Sequence, residues 1–338
     1  VGYLAKKEDE KLKNIDKYIL EIQQDLAITY NEEQLNAIKD AADKENVTIK
    51  QLWLDAIPAV ILLDELKEKY QYKKENFIIN PVIGEYDAPS SQSQHLLTLP
   101  ISEKGNTLIY GAAGSGKEDT LSTIVYSLMT TYVAQEINLY VVDCGSEALN
   151  NFRKSPIVGD VILSSDEEKI KNLIKKLKSE LETRKKLFID YNADYYFYCK
   201  TSGKTLPNIV TIINNFEAFQ ELFSNYVDEL IAITRDGEKY GIFFICTLST
   251  LNGMRMKLSQ NFKQNIVLQM NDQYDYRNIL GSGNRIIPSA IKCRGLVKLD
   301  NIYEIQVASI TREENVVEQI KNASAFLRSK TDSYAQSI

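Results

Sequence analysis

The chain has 338 residues, 46 Asp plus Glu against 40 Lys plus Arg, four cysteines and one histidine. At about 150 residues per domain that is one large domain or two ordinary ones, and the net charge of −6 argues against a protein that coats nucleic acid, which needs a basic face. The lone His95 excludes a multi-histidine metal centre, and Cys144, Cys199, Cys246 and Cys293 are too far apart to form the close ligand pairs of a zinc knuckle.

The first seventy residues read as helical. Leu12, Ile15, Ile19, Ile22 and Leu26 recur at three- and four-residue spacing and share one face. Leu35 and Ile38 mark a second helix. A third follows Asn46-Val47-Thr48 and carries Leu52, Trp53 and the apolar stretch Ile57 to Leu63. Residues 1–70 are therefore expected to be a helical linker, and residues 71–325 the main domain. No apolar run reaches the length of a membrane span, and the start at Val1 fits a piece of a longer protein.

From about residue 77 short β-branched runs alternate with helical segments. Thr107–Tyr110, Leu139–Val142, Val161–Leu163, Ile209–Ile213, Ile242–Ile245 and Ile266–Leu268 are continuous apolar stretches, the pattern of parallel strands covered on both faces. Between the third and fourth, Ser165 and Glu168 predict a capping box, followed by the helical stripe Ile170, Leu173, Ile174, Leu177 and Leu181. The prediction is an α/β fold with a mostly parallel central sheet. Residues 326–338 read as a polar tail, frayed at its end.

The strongest local signal is Gly111-Ala112-Ala113-Gly114-Ser115-Gly116-Lys117-Glu118 between a predicted strand and a predicted helix. Successive backbone N–H groups in such a loop cradle phosphate oxygens. The helix N-terminus adds positive potential, and Lys117 supplies a point charge for the β and γ phosphates. The eighth position departs from the pattern. A Ser or Thr hydroxyl there coordinates Mg²⁺, whereas Glu118 adds a negative charge beside the phosphates. It either weakens nucleotide binding or supplies a replacement Mg²⁺ ligand. The Ile209–Ile213 strand ends in Asn214-Asn215, where a hydrolytic enzyme of this type needs Asp for the metal shell and Glu to polarise water. Glu217 is a possible substitute base. Loss of a base and a metal ligand removes roughly 10²–10⁴-fold in rate for each.

With these stretches the chain resembles the FtsK/SpoIIIE branch of RecA-like P-loop NTPases, and within it the C-terminal ATPase modules of type VII secretion coupling proteins. The resemblance runs from about Trp53 to about Ile310. Besides the loop it rests on Leu181-Glu182-Thr183-Arg184 with Tyr191-Asn192, Thr234-Arg235 to Gly241-Ile242, Asn278-Ile279-Leu280-Gly281, Arg294-Gly295-Leu296 and Tyr303-Glu304-Ile305-Gln306. It implies an ATP-binding domain, one of several in tandem on a membrane-anchored polypeptide. It also implies a place on the cytoplasmic side of the membrane, hexameric assembly and secreted proteins as cargo. DNA is not an expected partner. Measured against active members, Glu238 stands where a second arginine is found, and Leu248 where a glutamine follows the next strand. With Glu118, Asn214 and Asn215 these changes imply a degenerate site that binds ATP weakly. A competent motor using Glu118 and Glu217, and a pure interaction domain with an empty loop, are the alternatives.

Four other features have plainer readings. Tyr195-Tyr196-Phe197-Tyr198 could stack bases or peptide but reads better as packing. The lysines of 169–178 form a solvated helix face, and His95 lies on the surface or in a loop. Asp143 ends a strand at the carboxyl edge of the sheet, where ligands bind, or simply caps a loop.

Overall fold

The computed structural model describes residues 55–312 and 315–338. Ten strands form one sheet. They are β1 (Val82–Ala88), β2 (Ser93–Thr98), β3 (Thr107–Tyr110), β4 (Ile137–Asp143), β5 (Val158–Leu163), β6 (Asn208–Asn214), β7 (Ile242–Leu248), β8 (Gln264–Val267), β9 (Arg294–Lys298) and β10 (Ile302–Val307). Their order is β2-β1-β10-β9-β8-β3-β7-β6-β4-β5. The six apolar runs read from sequence are β3 to β8, and they pair in parallel with one another. Around them lie helices α1 (Leu63–Lys69), α2 (Ile101–Lys104), α3 (Lys117–Thr131), α4 (Glu167–Leu187), α5 (Tyr195–Ser202), α6 (Phe216–Leu222), α7 (Ser224–Gly237), α8 (Met256–Ser259), α9 (Gln273–Leu280) and α10 (Val316–Lys330).

The continuous apolar character of β3 to β8 follows from burial on both faces. Alternate residues such as Ile109, Val141 and Ile212 pack with Leu121, Ile124 and Leu128 of α3. Their neighbours Leu108, Val142 and Ile213 pack with Leu173, Leu177 and Leu181 of α4 and with α7. The stripe predicted for α4 is buried as expected.

The remaining strands form an antiparallel extension, β2-β1-β10-β9, joined to β8. Sequence reading did not find these strands, because their buried faces carry polar groups satisfied from far away. Glu85 on β1 is bound by Lys69 Nζ and Tyr70 Oη, both at 2.5 Å. Arg294 on β9 donates to Gln306 Oε1 at 2.9 Å and to the carbonyl of Ile57 at 2.5 Å.

Three expectations are corrected. The helix expected across Ile57 to Leu63 is absent: α1 begins only at Leu63, after Leu62 in an extended conformation. The backbone there is drawn into tertiary pairing instead, with Ser309 N–H donating to Ile61 O at 2.7 Å and Leu63 N–H to Ser309 O at 3.0 Å. The helical positions expected at Leu12 to Leu26, Leu35, Ile38, Leu52 and Trp53 lie outside the described residues. The capping box does not form. Helix α4 starts at Glu167 with Asp166 as its N-cap and no side-chain capping bond, so Ser165 sits one residue too early. Glu167 and Glu168 instead place two carboxylates in the first turn, where the helix dipole favours them. The terminal residues are docked, not frayed. Ala335 N–H donates to Pro156 O at 2.8 Å, Tyr140 Oη donates to Gln336 O at 2.8 Å, and Ile338 packs on the core. Among the described residues no helix is long and apolar enough to cross a membrane.

Candidate nucleotide site

The parallel strands bring one row of polar residues to the carboxyl edge of the sheet. Asp143 of β4 is the register partner of Asn214 of β6. Ile213 pairs with Cys246 of β7, which places Thr247 beside Asn214. The Gly111–Lys117 loop leaves the end of β3 on the same edge, and α3 begins at Lys117.

The loop is held from both sides. Gly111 N–H donates to Leu248 O at 3.0 Å, Ala112 N–H to Gln269 O at 2.7 Å, and Cys293 N–H to Ser115 O at 2.9 Å. Gly116 has φ +97°, and a Cβ there would lie 2.3 Å from Cys293 Sγ, so both conformation and space require glycine. Among the described residues nothing accepts from the backbone N–H groups of Ala113, Gly114, Gly116, Lys117 or Glu118. These are the donors a phosphate needs. The Lys117 ammonium donates to the carbonyls of Gly111 and Ala112 and so stays over the loop. Burial draws its pKa below the usual lysine value, against the opposing pull of Glu217 and Glu118. Ser115 Oγ is buried with no partner among the described residues, in the space a Gly111 side chain would need.

The residues around the cradle form a connected polar relay. Asn215 N–H donates to Thr247 Oγ1 at 2.7 Å, and the Thr247 hydroxyl donates to Asn214 Oδ1 at 2.9 Å. The other end of the Asn214 amide donates to Asp143 Oδ1 at 2.9 Å and to Glu118 Oε1 at 3.4 Å. Asp143 also accepts from Gly145 N–H at 2.9 Å and Leu149 N–H at 3.3 Å, and Glu118 Oε1 accepts from Ser146 N–H at 3.3 Å. Asn215, at φ +59°, caps α6 through Ala218 N–H.

The resemblance to P-loop ATPases implies nucleotide bound with Mg²⁺, and the residues fit the two parts unequally. The free N–H groups and Lys117 suit phosphate. Mg²⁺ requires near-octahedral oxygen ligands. Here an N–H₂ group stands between the two nearest carboxylates, and the family's hydroxyl is a glutamate. The metal does not fit this arrangement, and no step is derived through it.

The other singled-out residues lie as follows. Glu217 Oε1 accepts from Ser249 N–H at 2.6 Å and Thr250 N–H at 3.1 Å, while Oε2 is buried with no partner among the described residues. Leu248 is buried in the core cluster on α4's side of the sheet, and its carbonyl accepts from Gly111 N–H at 3.0 Å. Glu238 does not stand free at an edge. It accepts from Asn106 N–H at 3.0 Å and pairs with Lys263. Tyr195 and Tyr198 are buried against Phe188, whereas Tyr196 and Phe197 are exposed at the start of α5. His95 lies on strand β2, exposed and stacked on Tyr86. Lys169 and Lys178 pair with Asp160 and Glu229, both at 2.8 Å. Sequence reasoning missed Thr247. Its position near the end of a strand adjoining Asn214 identifies it, but only once the order β4-β6-β7 is known.

Known proteins show the same architecture. The sequence is 32% identical over 241 residues to the ESX secretion system protein EccC of Geobacillus thermodenitrificans, covering 71% of this chain and 16% of the relative. It is 23% identical over 350 residues to the type VII secretion system protein EssC of Staphylococcus aureus, covering 95% of this chain and 24% of the relative. The chain thus spans less than a quarter of these curated relatives. The solved structure of EssC ATPases 2 and 3 from Geobacillus thermodenitrificans superposes with a TM-score of 0.76 at 29% identity, over 84% of this chain and 54% of that one. The cytoplasmic domain of EssC superposes with a TM-score of 0.66 at 30% identity, over 77% of this chain and 51% of that one. The fold is that of the RecA-like P-loop ATPase modules of these proteins. The FtsK/SpoIIIE family model matches residues 69–289, about two-thirds of the sequence, so the chain belongs to the FtsK/SpoIIIE family and is homologous to the ATPase domains of EssC and EccC.

Proposed function

We propose that this chain is a degenerate nucleotide-binding module of a type VII secretion coupling ATPase, which holds ATP weakly in the Gly111–Lys117 cradle and hydrolyses it slowly or not at all. The observation that carries the reading is the state of Asn214 and Asn215. One amide bridges Asp143 and Glu118, and the other caps a helix, so neither offers a carboxylate to metal or water. The phosphates would meet the Lys117 ammonium, with Glu118 and Glu217 close enough to act on its charge. These carboxylates oppose an anionic ligand and lower its affinity.

In this reading the module docks secreted proteins or neighbouring ATPase modules of the same polypeptide and regulates the active ones, on the cytoplasmic side of a membrane anchored elsewhere. The ATPase domain is the compact unit 55–338, wider than the expected 71–325; the preceding residues link it to a neighbouring module, and hexamers form in the longer protein. The acidic charge supports protein partners over DNA. A second reading, a competent motor driving protein export, draws support from the unpartnered Glu217 Oε2 near Lys117. Titration of a fluorescent ATP analogue into the chain and its Lys117→Ala variant tests the proposal. Weak binding that the variant loses is expected. Equal signals for both proteins, or none at millimolar analogue, leave a pure interaction domain.

A further inference from the structure

The Asn214 amide stands where an ordinary P-loop site has need of a cation. Its Nδ2 donates to two carboxylate oxygens at once, Asp143 Oδ1 at 2.9 Å and Glu118 Oε1 at 3.4 Å. A side-chain amide has two N–H donors on one end and an acceptor on the other, and here every one is used. The orientation is set from behind. Thr247 Oγ1 already accepts from Asn215 N–H, so its own proton goes to Asn214 Oδ1, which turns Nδ2 toward the carboxylates. Asn214 and Asp143 are both buried. Turning the amide over would set Oδ1 against two carboxylates and leave Thr247 without its acceptor.

We propose that Asn214 Nδ2 replaces the divalent cation of this site, closing the niche to Mg²⁺ so that the adjacent loop takes a nucleoside polyphosphate without metal. Two substitutions relative to the active pattern then act as one unit with Asp143. Glu118 in place of the hydroxyl creates the second carboxylate, Asn214 in place of Asp neutralises the pair by hydrogen bonding, and Asp143 completes the bridge. Loss of charge at position 214 is what lets Glu118 be tolerated there, since three carboxylates within hydrogen-bond distance repel unless a cation joins them. The statement about nucleotide rests on the function proposed above, whereas the statement about the cation does not.

The test uses the whole chain and Mn²⁺ as a paramagnetic probe for the niche, without nucleotide, followed by the ATP analogue in Mg²⁺ and in EDTA. Wild type is expected to bind no Mn²⁺ at millimolar concentration, and its analogue affinity should change by less than about threefold between the two buffers. Asn214→Asp should gain one Mn²⁺ site and melt lower in EDTA than in Mn²⁺. Because three carboxylates could prevent folding, Glu118→Thr combined with Asn214→Asp is the second variant. It restores the hydroxyl and the Asp, and should bind analogue at least about tenfold more tightly with Mg²⁺ than in EDTA. Stoichiometric Mn²⁺ in wild type, or an Mg²⁺ gain of about tenfold or more in wild type, overturns the proposal. So does a folded double variant indifferent to metal. Failure of wild type to bind analogue in either buffer would defeat the nucleotide reading, while the Mn²⁺ comparison would still decide who holds the niche.

Discussion

Replacing Glu238 by the arginine that the resemblance implies at this position is expected to damage the fold before it helps any chemistry. Glu238 Oε1 accepts from Asn106 N–H at 3.0 Å, and its other oxygen pairs with Lys263. Asn106 is fully buried and serves as a hub. Its amide donates to Thr234 O at 3.0 Å and Asn261 O at 2.9 Å, and its Oδ1 accepts from Phe244 N–H at 2.8 Å. Glu238→Arg removes the acceptor for the hub's backbone N–H, at about 1–3 kcal/mol for a group left unsatisfied. It also trades an ion pair with a largely exposed lysine, worth about 0.2–1 kcal/mol, for like-charge repulsion. The total of about 1–4 kcal/mol corresponds to a fall of about 2–16 °C in Tm at roughly 2–4 °C per kcal/mol. Glu238→Gln keeps an oxygen for Asn106 N–H and should lose no more than about 1 kcal/mol. Thermal unfolding of the three proteins side by side is the assay. A Glu238→Arg variant that melts within about a degree of wild type, or no higher loss than Glu238→Gln, refutes the reasoning.

Three further outcomes follow from the geometry. Arg184 is buried and donates to Glu180 at 2.8 Å, Tyr240 O at 2.8 Å and Pro207 O at 2.7 Å, so Arg184→Met should cost about 3–5 kcal/mol in denaturant unfolding. Gly116→Ala meets both the positive φ and Cys293 Sγ. It should destabilise the chain by about 1–3 kcal/mol, and adding Cys293→Ala should recover only part of this because the backbone strain stays. Burial pushes the Cys144 thiol up to about 11, and the Cys293 thiol and the Tyr110 and Tyr140 phenols up to about 12. Folded values above the unfolded ones give stability that is complete below the ordinary thiol and phenol range and is lost as these groups ionise. Tm should therefore hold steady up to pH about 9 and fall steeply toward pH 12, as melting curves across that range would show.

The parallel half of the sheet was legible because burial on two faces leaves an uninterrupted apolar signature, and all six such runs are strands. The phosphate loop was legible because its glycines, lysine and strand–helix context are contiguous. What sequence hid was set by distant partners. Arg294 and Glu85 make β9 and β1 look like surface, although Ile57 O and Lys69 satisfy them from segments far off in the chain. Ile57 to Leu62 looked helical, yet Ser309 and Arg294 claim its backbone. Glu238 read as a misplaced charge, since Asn106 lies 132 residues away. The row Asp143, Asn214, Thr247 exists only when β4, β6 and β7 are set side by side, so Asp143 alone looked like a strand end and Thr247 drew no reading.

The central claim is that the cradle survives while its chemistry has gone. Steady-state phosphate release from ATP by the full chain, set beside Lys117→Ala, tests it most directly. The account predicts turnover far below the ~10 per second typical of enzymes, with any Lys117-dependent part well under about one per second. Lys117-dependent turnover of about one per second or more would contradict it.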